Sequence, residues 1–228
     1  MAEDLILAEE ALLLVLHDEK GTHQGSYTSF VLAGAALAEF ALEGRIVPEG
    51  EGKKMRFRLV DDTPPEHPFL RFVLEAMTAK KGFERKPEHL VDAAANKRGG
   101  TLVLKDALVS KGILEARQEK VLFFFTHTTY PLRDASVEEA LKARLAQIMF
   151  HGHPPTEHES ILIALAKHAG LLSRNFDKKL LKENKDRIES VAEGSGVAAN
   201  ATKSAIEAVQ AAIMATIIAG SVATTVAT

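Results

Sequence analysis

Apolar residues recur with the 3.6-residue spacing of an amphipathic helix through most of the chain, which predicts a mainly helical protein. The opening segment has a broad apolar face from Ile6 to Leu16 and ends at the turn-forming stretch HDEKGTHQG. A second helix, over residues 30–42, contains the small residues of FVLAGAALAEFAL, which suit close helix packing. Further helices are predicted at 67–80, 89–96, 101–111, 136–150, 157–169 and 177–193, with a long final helix after GSG.

In two places the pattern changes to strict alternation, which predicts two β-hairpins. Within the first hairpin, residues 54–59 separate three cationic positions from three apolar ones. One face carries Lys54, Arg56 and Arg58, and the other carries Met55, Phe57 and Leu59. The second hairpin, GILEARQEKVLFFF, is predicted to place its charged residues in the turn and its aromatic residues in the following strand.

We therefore predict a mainly-α fold, a single helical domain with one or two β-hairpins. The domain is expected to cover residues 4–193, and a separate apolar helix to cover residues 197–228. That last helix carries no charge from Ala208 onward and is long enough to cross a bilayer. Its many Ala, Thr and Ser residues favour packing on the domain or on a partner over anchoring in a membrane.

The amino-acid composition excludes several classes of function. The net charge is −3, so attraction to nucleic acid or anionic lipid must come from a local patch. The absence of cysteine excludes disulfides, thiol catalysis and cysteine-based zinc sites, and it fits a reducing compartment such as the cytoplasm. The amino-terminal segment lacks a basic n-region and is interrupted by acidic residues, so we expect a helix there and not a signal peptide.

The stretch HGHPPTEHE brings together three histidines and two glutamates, a composition that suits zinc. A simpler interpretation is a loop followed by a helix with Thr156 as N-cap and Glu159 at the third helical position. We favour the capped helix and predict neither a metal nor a cofactor. The paired carboxylates Glu9-Glu10 and Asp61-Asp62 are expected on the solvated surface, and the sequence contains no catalytic motif, which predicts a protein that is not an enzyme.

Basic residues cluster in three stretches, KKMRFR, KKGFERK and NKRGG, the last of which contains Lys97 and Arg98. Lys54, Arg56 and Arg58 from the first stretch, with Lys97 from the last, are candidates for a basic membrane face. Four of the thirteen aromatic rings fall within eight residues of the second hairpin: Phe123, Phe124, Phe125 and Tyr130. A basic patch beside apolar rings is typical of a surface that docks on an anionic membrane.

Four segments, in this order and spacing, resemble the Golgi phosphoprotein 3 family: LILAEEALLLVLHDEKGT, LAEFALEGRI, LVSKGIL and FFFTHTTYPL. The resemblance runs from about Asp4 to Asp186. It implies a packed helical core surrounded by amphipathic helices, with a projecting β-hairpin. It also implies a peripheral membrane protein without enzymatic activity, in which the hairpin contributes to membrane contact or self-association.

Eukaryotic members of that family recognise phosphatidylinositol 4-phosphate and bind the cytosolic tails of Golgi glycosyltransferases. The resemblance therefore implies a phosphoinositide or another anionic phospholipid, a protein client and a homo-oligomer as partners. The four head-group positions of the family fall at Gln24, Ala33, Arg98 and Thr101, so Arg98 alone keeps the family's residue type, and weak head-group selectivity is expected. Since no long polar tail precedes the first helix, we expect a bacterial member, cytoplasmic and peripheral on the cytosolic membrane face.

Two alternatives remain open at the level of sequence. The predicted helix 101–111 followed by GIL and a hairpin also fits the second half of a DNA-binding winged helix. That helix has two lysines and an aspartate, fewer cations than a reader of the phosphate backbone needs, so no nucleic acid partner is predicted. The other alternative is a scaffold whose aromatic hairpin serves only as an oligomer interface.

Overall fold

The computed structural model describes residues 5–16, 27–50, 54–79, 84–121 and 125–194. Within these ranges the chain forms ten helices and two small antiparallel sheets, which confirms the predicted mainly-α fold with β-hairpins. The helices are α1 Leu7–Val15, α2 Tyr27–Leu42, α3 Pro68–Thr78, α4 Pro87–Asn96, α5 Gly100–Ser110, α6 Ala135–His151, α7 Glu157–His168, α8 Leu172–Asn175, α9 Lys178–Glu183 and α10 Lys185–Ala192. The strands are β1 Ile46–Glu49, β2 Arg56–Leu59, β3 Glu84–Arg85, β4 Arg117–Val121 and β5 Phe125–Thr129.

Helices α1 and α2 form the centre of the molecule. Every residue of α1 is buried, and the helix packs against α2 and α7. Helix α2 is apolar around most of its circumference, as expected for a helix surrounded by others. Its small residues Gly34, Ala35 and Ala36 are buried, in agreement with the close packing predicted from the sequence.

The expectation that Glu9 and Glu10 lie on a solvated face was wrong, since their exposures are 0% and 5%. Glu9 accepts hydrogen bonds from the Lys111 ammonium at 2.8 Å and from the backbone N–H of Ile6 at 3.1 Å. Its other oxygen lies 3.2 Å from the His67 imidazole. Burial raises the pKa of Glu9, but these hydrogen bonds and the charge of Lys111 outweigh burial, so the pKa is lowered from its ordinary value.

Glu10 has a different set of partners from Glu9. One carboxylate oxygen is paired with the Arg144 guanidinium of α6, and the other lies 2.8 Å from Nε2 of His158 in α7. The Arg144 Nε also lies 3.1 Å from Glu159. A buried carboxylate is stable only when it is paired in this way, so α1 is attached to α6 and α7 through Glu10.

The first sheet has the strand order β1-β2-β3, with Pro48 opposite Phe57 and Phe57 opposite Arg85. The predicted alternation in β2 is confirmed, because Phe57 is fully buried and its neighbour Arg58 is exposed. The third strand was not predicted. At two residues, it is too short to produce a recognisable sequence pattern.

The second hairpin differs from the prediction in where it turns. The charged residues of RQEKV form strand β4 instead of the turn, and they pair with β5 in a register that places Val121 opposite Phe125. The connection therefore falls at residues 122–124, so Phe123 and Phe124 lie outside the described residues. Phe125 begins β5.

At the carboxyl end, the single helix predicted over 177–193 is divided at Asn184 into α9 and α10. Asn184 has φ −106° and ψ 19°, and asparagine favours such helix ends because its side chain competes for backbone hydrogen bonds. The predicted apolar helix over 197–228 lies outside the described residues. None of the helices in the described part of the chain is long and apolar enough to span a membrane.

We predict that His158→Gln lowers the free energy of unfolding by about 1 kcal/mol at pH 6, the difference between a charge-assisted and a neutral hydrogen bond. Burial lowers the pKa of His158, but the hydrogen bond and charge of Glu10, aided by Glu39, outweigh burial and raise it above 6.5. A raised histidine pKa gives stability that is complete below pH 6.5 and lost as pH rises through the folded-state value. The difference between wild type and variant should therefore shrink from pH 6 to pH 9.

Urea unfolding at several pH values measures this difference. His151→Gln is the matched control, because His151 is exposed at the end of α6 and should show no such trend. A difference for His158→Gln that stays constant or grows with pH would contradict the assigned ion pair.

Candidate functional site

A cleft of about 430 Å³ opens where α2, α3 and α4 meet the first turn of α5. Its walls are mostly apolar, with Leu32 and Ala33 from α2 and Phe69 and Val73 from α3. The polar and charged groups come mainly from residues 96–105, where the chain leaves α4 and enters α5. An apolar concavity with a few converging polar groups is the usual form of a ligand site.

Two glycines shape the loop at the mouth of the cleft. Gly99 adopts φ +96°, a left-handed conformation that other residues rarely take, and it is the N-cap of α5. A Cβ on Gly100 would lie 2.9 Å from the ring of Phe72, so the loop passes directly over that ring. Gly99 has no side chain to cap the helix, and Gly100, Thr101 and Leu102, at the positive end of the α5 dipole, line the cleft.

Arg98 and Lys97, both singled out from the sequence, line this cleft. Arg98 is exposed at the rim. The Lys97 ammonium lies 4.3 Å from the centre of the Phe72 ring and 3.0 Å from the Glu75 carboxylate. The charge of Lys97 is therefore partly neutralised by a neighbour.

Lys105, which the sequence did not single out as a site residue, also lines the cleft. Its residue exposure is 7%, and its ammonium lies 4.8 Å from the centre of the Tyr130 ring. Burial lowers the pKa of Lys105 below its ordinary value. The available signal was spacing, since Lys105 follows Thr101 by four residues and so lies on the same face of α5 one turn further along.

Tyr130 does not lie on an outward face of the hairpin in this structure. It is 8% exposed and lines the cleft beside Lys105, because the chain has already left β5 at Thr129 and returned to the helical domain. The isolated bridge between Leu114 and Leu132 marks that return. Burial, with a smaller contribution from Asp106, raises the pKa of Tyr130. Its position assigns it to the cleft and not to the hairpin surface.

Of the four head-group positions suggested by resemblance, Ala33, Arg98 and Thr101 all line the cleft. Gln24 lies outside the described residues. The structure therefore brings together positions that are far apart in sequence, although Ala33 and Thr101 bring no charge.

The cationic residues of β2 do not join this cleft. The Arg58 Nε donates to Glu49 at 2.5 Å, and the Arg56 guanidinium donates to the carbonyl oxygen of Met55 at 2.8 Å. Lys54 is exposed just before the strand. This sheet face is a separate basic surface, partly neutralised by its own acidic residue.

A second, larger cleft of about 1190 Å³ is bordered by Glu10, Glu39, Lys111, Arg144 and His158. The Glu39 carboxylate accepts the backbone N–H of Leu7 at 2.7 Å, and burial raises the pKa of Glu39. Apart from Glu39, these ionic groups take part in the pairs that attach α1 to its neighbours. We therefore assign their charges to the core network.

The histidine-rich stretch is divided between different roles. Thr156 and Glu159 form the predicted capping box of α7, which is confirmed by their reciprocal hydrogen bonds. His158 pairs with Glu10, whereas His151 and His153 are exposed. Among the residues that the structure describes, no group of three His, Cys, Asp or Glu side chains could hold a metal ion.

Comparison with known proteins agrees with this arrangement. A family model described as Golgi phosphoprotein 3 (GPP34) matches residues 7–214. The vacuolar protein sorting-associated protein 74 of Eremothecium gossypii is 30% identical over 165 residues, an alignment that covers 64% of this chain and 49% of that protein. The chain thus spans about half the length of this curated relative. On the family match, which covers more than half of its residues, the chain belongs to the Golgi phosphoprotein 3 family.

Proposed function

We propose that this protein is a non-enzymatic peripheral membrane protein that binds an anionic phospholipid head group in the cleft at the start of α5. The observation that carries the proposal is the convergence of Arg98, Lys97 and the first turn of α5 on one apolar-walled cleft in a member of this family. A helix amino terminus with an adjacent arginine is a favourable site for a phosphate group.

The charge of this site is local. The whole chain carries a net charge of −3, so no general field would draw it to an anionic membrane. Each Lys or Arg close to such a membrane contributes about 1 kcal/mol of attraction. The exposed Arg98 is therefore expected to contribute more than Lys97, whose charge is partly balanced by Glu75.

An apolar residue stands beside these cations. Leu102 is 49% exposed and lines the same cleft. An exposed leucine beside basic residues can enter the interfacial layer of a membrane while the cations contact the head groups. This arrangement supports docking with the mouth of the cleft toward the membrane.

The aromatic hairpin supplies a second contact in this proposal. Its strands β4 and β5 carry charged and polar residues, and the aromatic run Phe123–Phe125 falls where the two strands join. We propose that these rings contact the membrane or a second copy of the chain. In this adaptor role the protein is cytoplasmic and acts on the cytosolic face of a membrane. There it forms a homo-oligomer and binds a protein client.

The winged-helix alternative is disfavoured by the environment of its recognition helix. Both lysines of that segment point into the protein, since Lys105 is buried in the cleft and Lys111 is paired with Glu9. A DNA-reading helix needs exposed cations for the phosphate backbone. Lipid binding at the cleft does not require these two lysines to turn outward, because Arg98 is already exposed at the rim.

We predict that Arg98→Ala weakens binding to phosphatidylserine-containing vesicles by about fivefold, the factor that corresponds to about 1 kcal/mol for one interfacial cation. Co-sedimentation at low and physiological salt measures the effect, which should be larger at low salt because exposed charges are screened. The matched control is Arg174→Ala, which removes one exposed arginine from α8 outside the cleft. Equal losses for the two variants, or no vesicle binding by the wild type, would overturn the proposed site.

We predict that at least one of the variants Phe123→Ala, Phe124→Ala and Phe125→Ala affects docking and not stability, because the aromatic run lies where β4 joins β5 and is proposed to contact a membrane or a second copy. Replacing a buried phenylalanine costs about 3–5 kcal/mol of stability, whereas an outward ring can be removed with little change in melting temperature. The outward variant or variants should instead lose vesicle binding or self-association. Melting curves, co-sedimentation and light scattering are the measurements.

His127→Ala provides the control within the same hairpin, since His127 is exposed in β5 and polar. It should leave stability and docking unchanged. If all three phenylalanine variants lose stability alike and none is separately defective in docking, the hairpin belongs to the core.

A further inference from the structure

We infer that the second cleft binds a free aliphatic amine, whose ammonium group pairs with the carboxylate of Glu39. This site is separate from the cleft at the start of α5, and it goes beyond the proposed lipid binding. Two observations carry the inference: the polar side chains of the second cleft are engaged within the protein except at Glu39, and apolar side chains form much of its wall.

The hydroxyl groups of the second cleft already have acceptors. The Ser136 hydroxyl donates to Asp134 at 2.6 Å, and the Thr156 hydroxyl donates to Glu159 at 2.8 Å. The Ser110 hydroxyl donates to a backbone carbonyl of its own helix at 2.9 Å. The cations of the cleft are likewise paired with the carboxylates that attach α1 to its neighbours. A ligand that needed these groups would have to displace a bond within the protein.

Glu39 differs from these groups. One of its carboxylate oxygens accepts the backbone N–H of Leu7 at 2.7 Å. Within the described part of the chain, the other oxygen takes part in no hydrogen bond or ion pair. Burial raises the pKa of Glu39, with smaller contributions from Glu43 and Glu10, and the hydrogen bond from Leu7 offsets this only in part. An ammonium group in the cleft supplies the opposite charge that this carboxylate lacks.

The wall of the cleft selects the rest of the ligand. Burying a hydrocarbon chain against apolar side chains is favourable. A peptide would instead bring backbone N–H and carbonyl groups, which need partners that the engaged hydroxyls do not offer. The ligand that fits is therefore one ammonium group on an aliphatic chain. Six residues with apolar side chains line the cleft: Leu5, Ile6, Ile113, Val137, Ala140 and Leu141.

The second cleft is also well placed for a soluble ligand. The first turn of α5 borders the proposed lipid site, whereas Lys111, just after the other end of α5, borders the second cleft. At 1.5 Å per residue, the 11 residues of α5 span about 16 Å. A protein docked with the mouth of the lipid site toward a membrane thus keeps the second cleft at the far end of α5, where an amine in solution can enter.

The test is a nuclear magnetic resonance titration of the isotope-labelled full chain with hexylamine at pH 7, without vesicles. The backbone amide of Leu7 is a direct reporter, because it donates to Glu39. Hexylamine should shift the amides of Leu7, Ile6 and Val137, and hexanoate at the same concentration should not, because its charge is repelled by the carboxylate. No binding of hexylamine, equal binding of hexanoate, or shifts confined to the cleft at the start of α5 would overturn the inference.

Glu39→Gln removes the charge and keeps a side-chain oxygen that can accept the N–H of Leu7. It should weaken hexylamine binding about tenfold, the factor expected when a charge-assisted hydrogen bond becomes a neutral one. Glu43→Gln is the matched control, because it removes the same charge one turn along α2 at an exposed residue that pairs with Arg45 at 2.8 Å. The control should bind hexylamine as the wild type does. Equal losses for the two variants would mean a general effect of charge and would overturn the site.

The stability of Glu39→Gln separates a ligand contact from a structural role. A raised carboxyl pKa gives stability that is present at low pH and lost as pH rises through the folded-state value, so the ionised Glu39 is disfavoured at pH 7. Glu39→Gln should therefore be at least as stable as the wild type in urea at pH 7. A less stable variant with unchanged hexylamine binding would assign Glu39 to the core network and overturn the inference.

Ala140→Phe provides a test that does not alter Glu39. Ala140 is exposed in α6 and lines the cleft, so a phenyl ring there narrows the space without entering the core. If Glu39→Gln does not fold, this variant decides the question. Weaker hexylamine binding by a folded Ala140→Phe supports the cleft as the site, and unchanged binding overturns it.

A blocked tripeptide, N-acetyl-Ala-Lys-Ala-amide, distinguishes a free amine from a lysine side chain as the source of the ammonium group. Binding of the tripeptide without binding of hexylamine would overturn the assignment to a free amine. Glu39→Gln should bind phosphatidylserine-containing vesicles as the wild type does, because Glu39 lies outside the proposed lipid site. Failure of the wild type to bind vesicles would refute the proposed function alone, and failure to bind hexylamine would refute only this inference.

Discussion

The structure depends on the burial of two adjacent carboxylates, Glu9 and Glu10, in a helix that is buried on every side. Removing one partner of a buried ion pair costs about 3–5 kcal/mol, so each carboxylate requires its cation. Glu9 faces Lys111 and His67, and Glu10 faces Arg144 and His158. The partners come from four different places in the chain, and α1 thereby fixes the elements that surround it.

The burial of Glu9 also fixes the position of α5, the helix whose first turn borders the cleft. The residue at the carboxyl end of α5, Lys111, is attached to Glu9, and the helix packs against α1, α2 and α3. With that end fixed, the other end of α5 lies beside Phe72, with Gly100 directly over the ring. The cleft is therefore formed where a rigidly held helix begins, and Lys105 lies between its two ends. Protein groups that bind a ligand are positioned more accurately on such a helix than on a loop.

The sequence predicted most helices, the buried face of β2 and the capping box of α7, because each of these depends on local spacing or on a local hydrogen bond. It predicted Arg98 as a site residue through resemblance to a family. It did not predict the burial of Glu9 and Glu10, because a pair of adjacent acidic residues is usually solvated and the compensating partners lie 58 to 148 residues away. Long-range ion pairs of this kind leave no local pattern.

Lys105 and Tyr130 were missed as cleft residues for a related reason. A single lysine within an apolar helix is most often a solvated residue, and Tyr130 follows an aromatic run that the sequence pattern assigns to one strand. Their meeting in the cleft depends on the packing of the β5 exit against α5, which only the tertiary structure provides. The turn of the second hairpin was misplaced because the charged residues of β4 have the composition of a turn but pair as a strand.

The most direct test of the central claim is a nuclear magnetic resonance titration of the isotope-labelled protein with a short-chain, water-soluble phosphatidylinositol 4-phosphate. If the cleft at the start of α5 is the lipid site, the largest backbone amide shifts should fall on Gly99, Gly100, Thr101 and Leu102, which line it together. Shifts that leave these four amides unchanged and concentrate around Arg144 and His158, at the second cleft, would contradict the account.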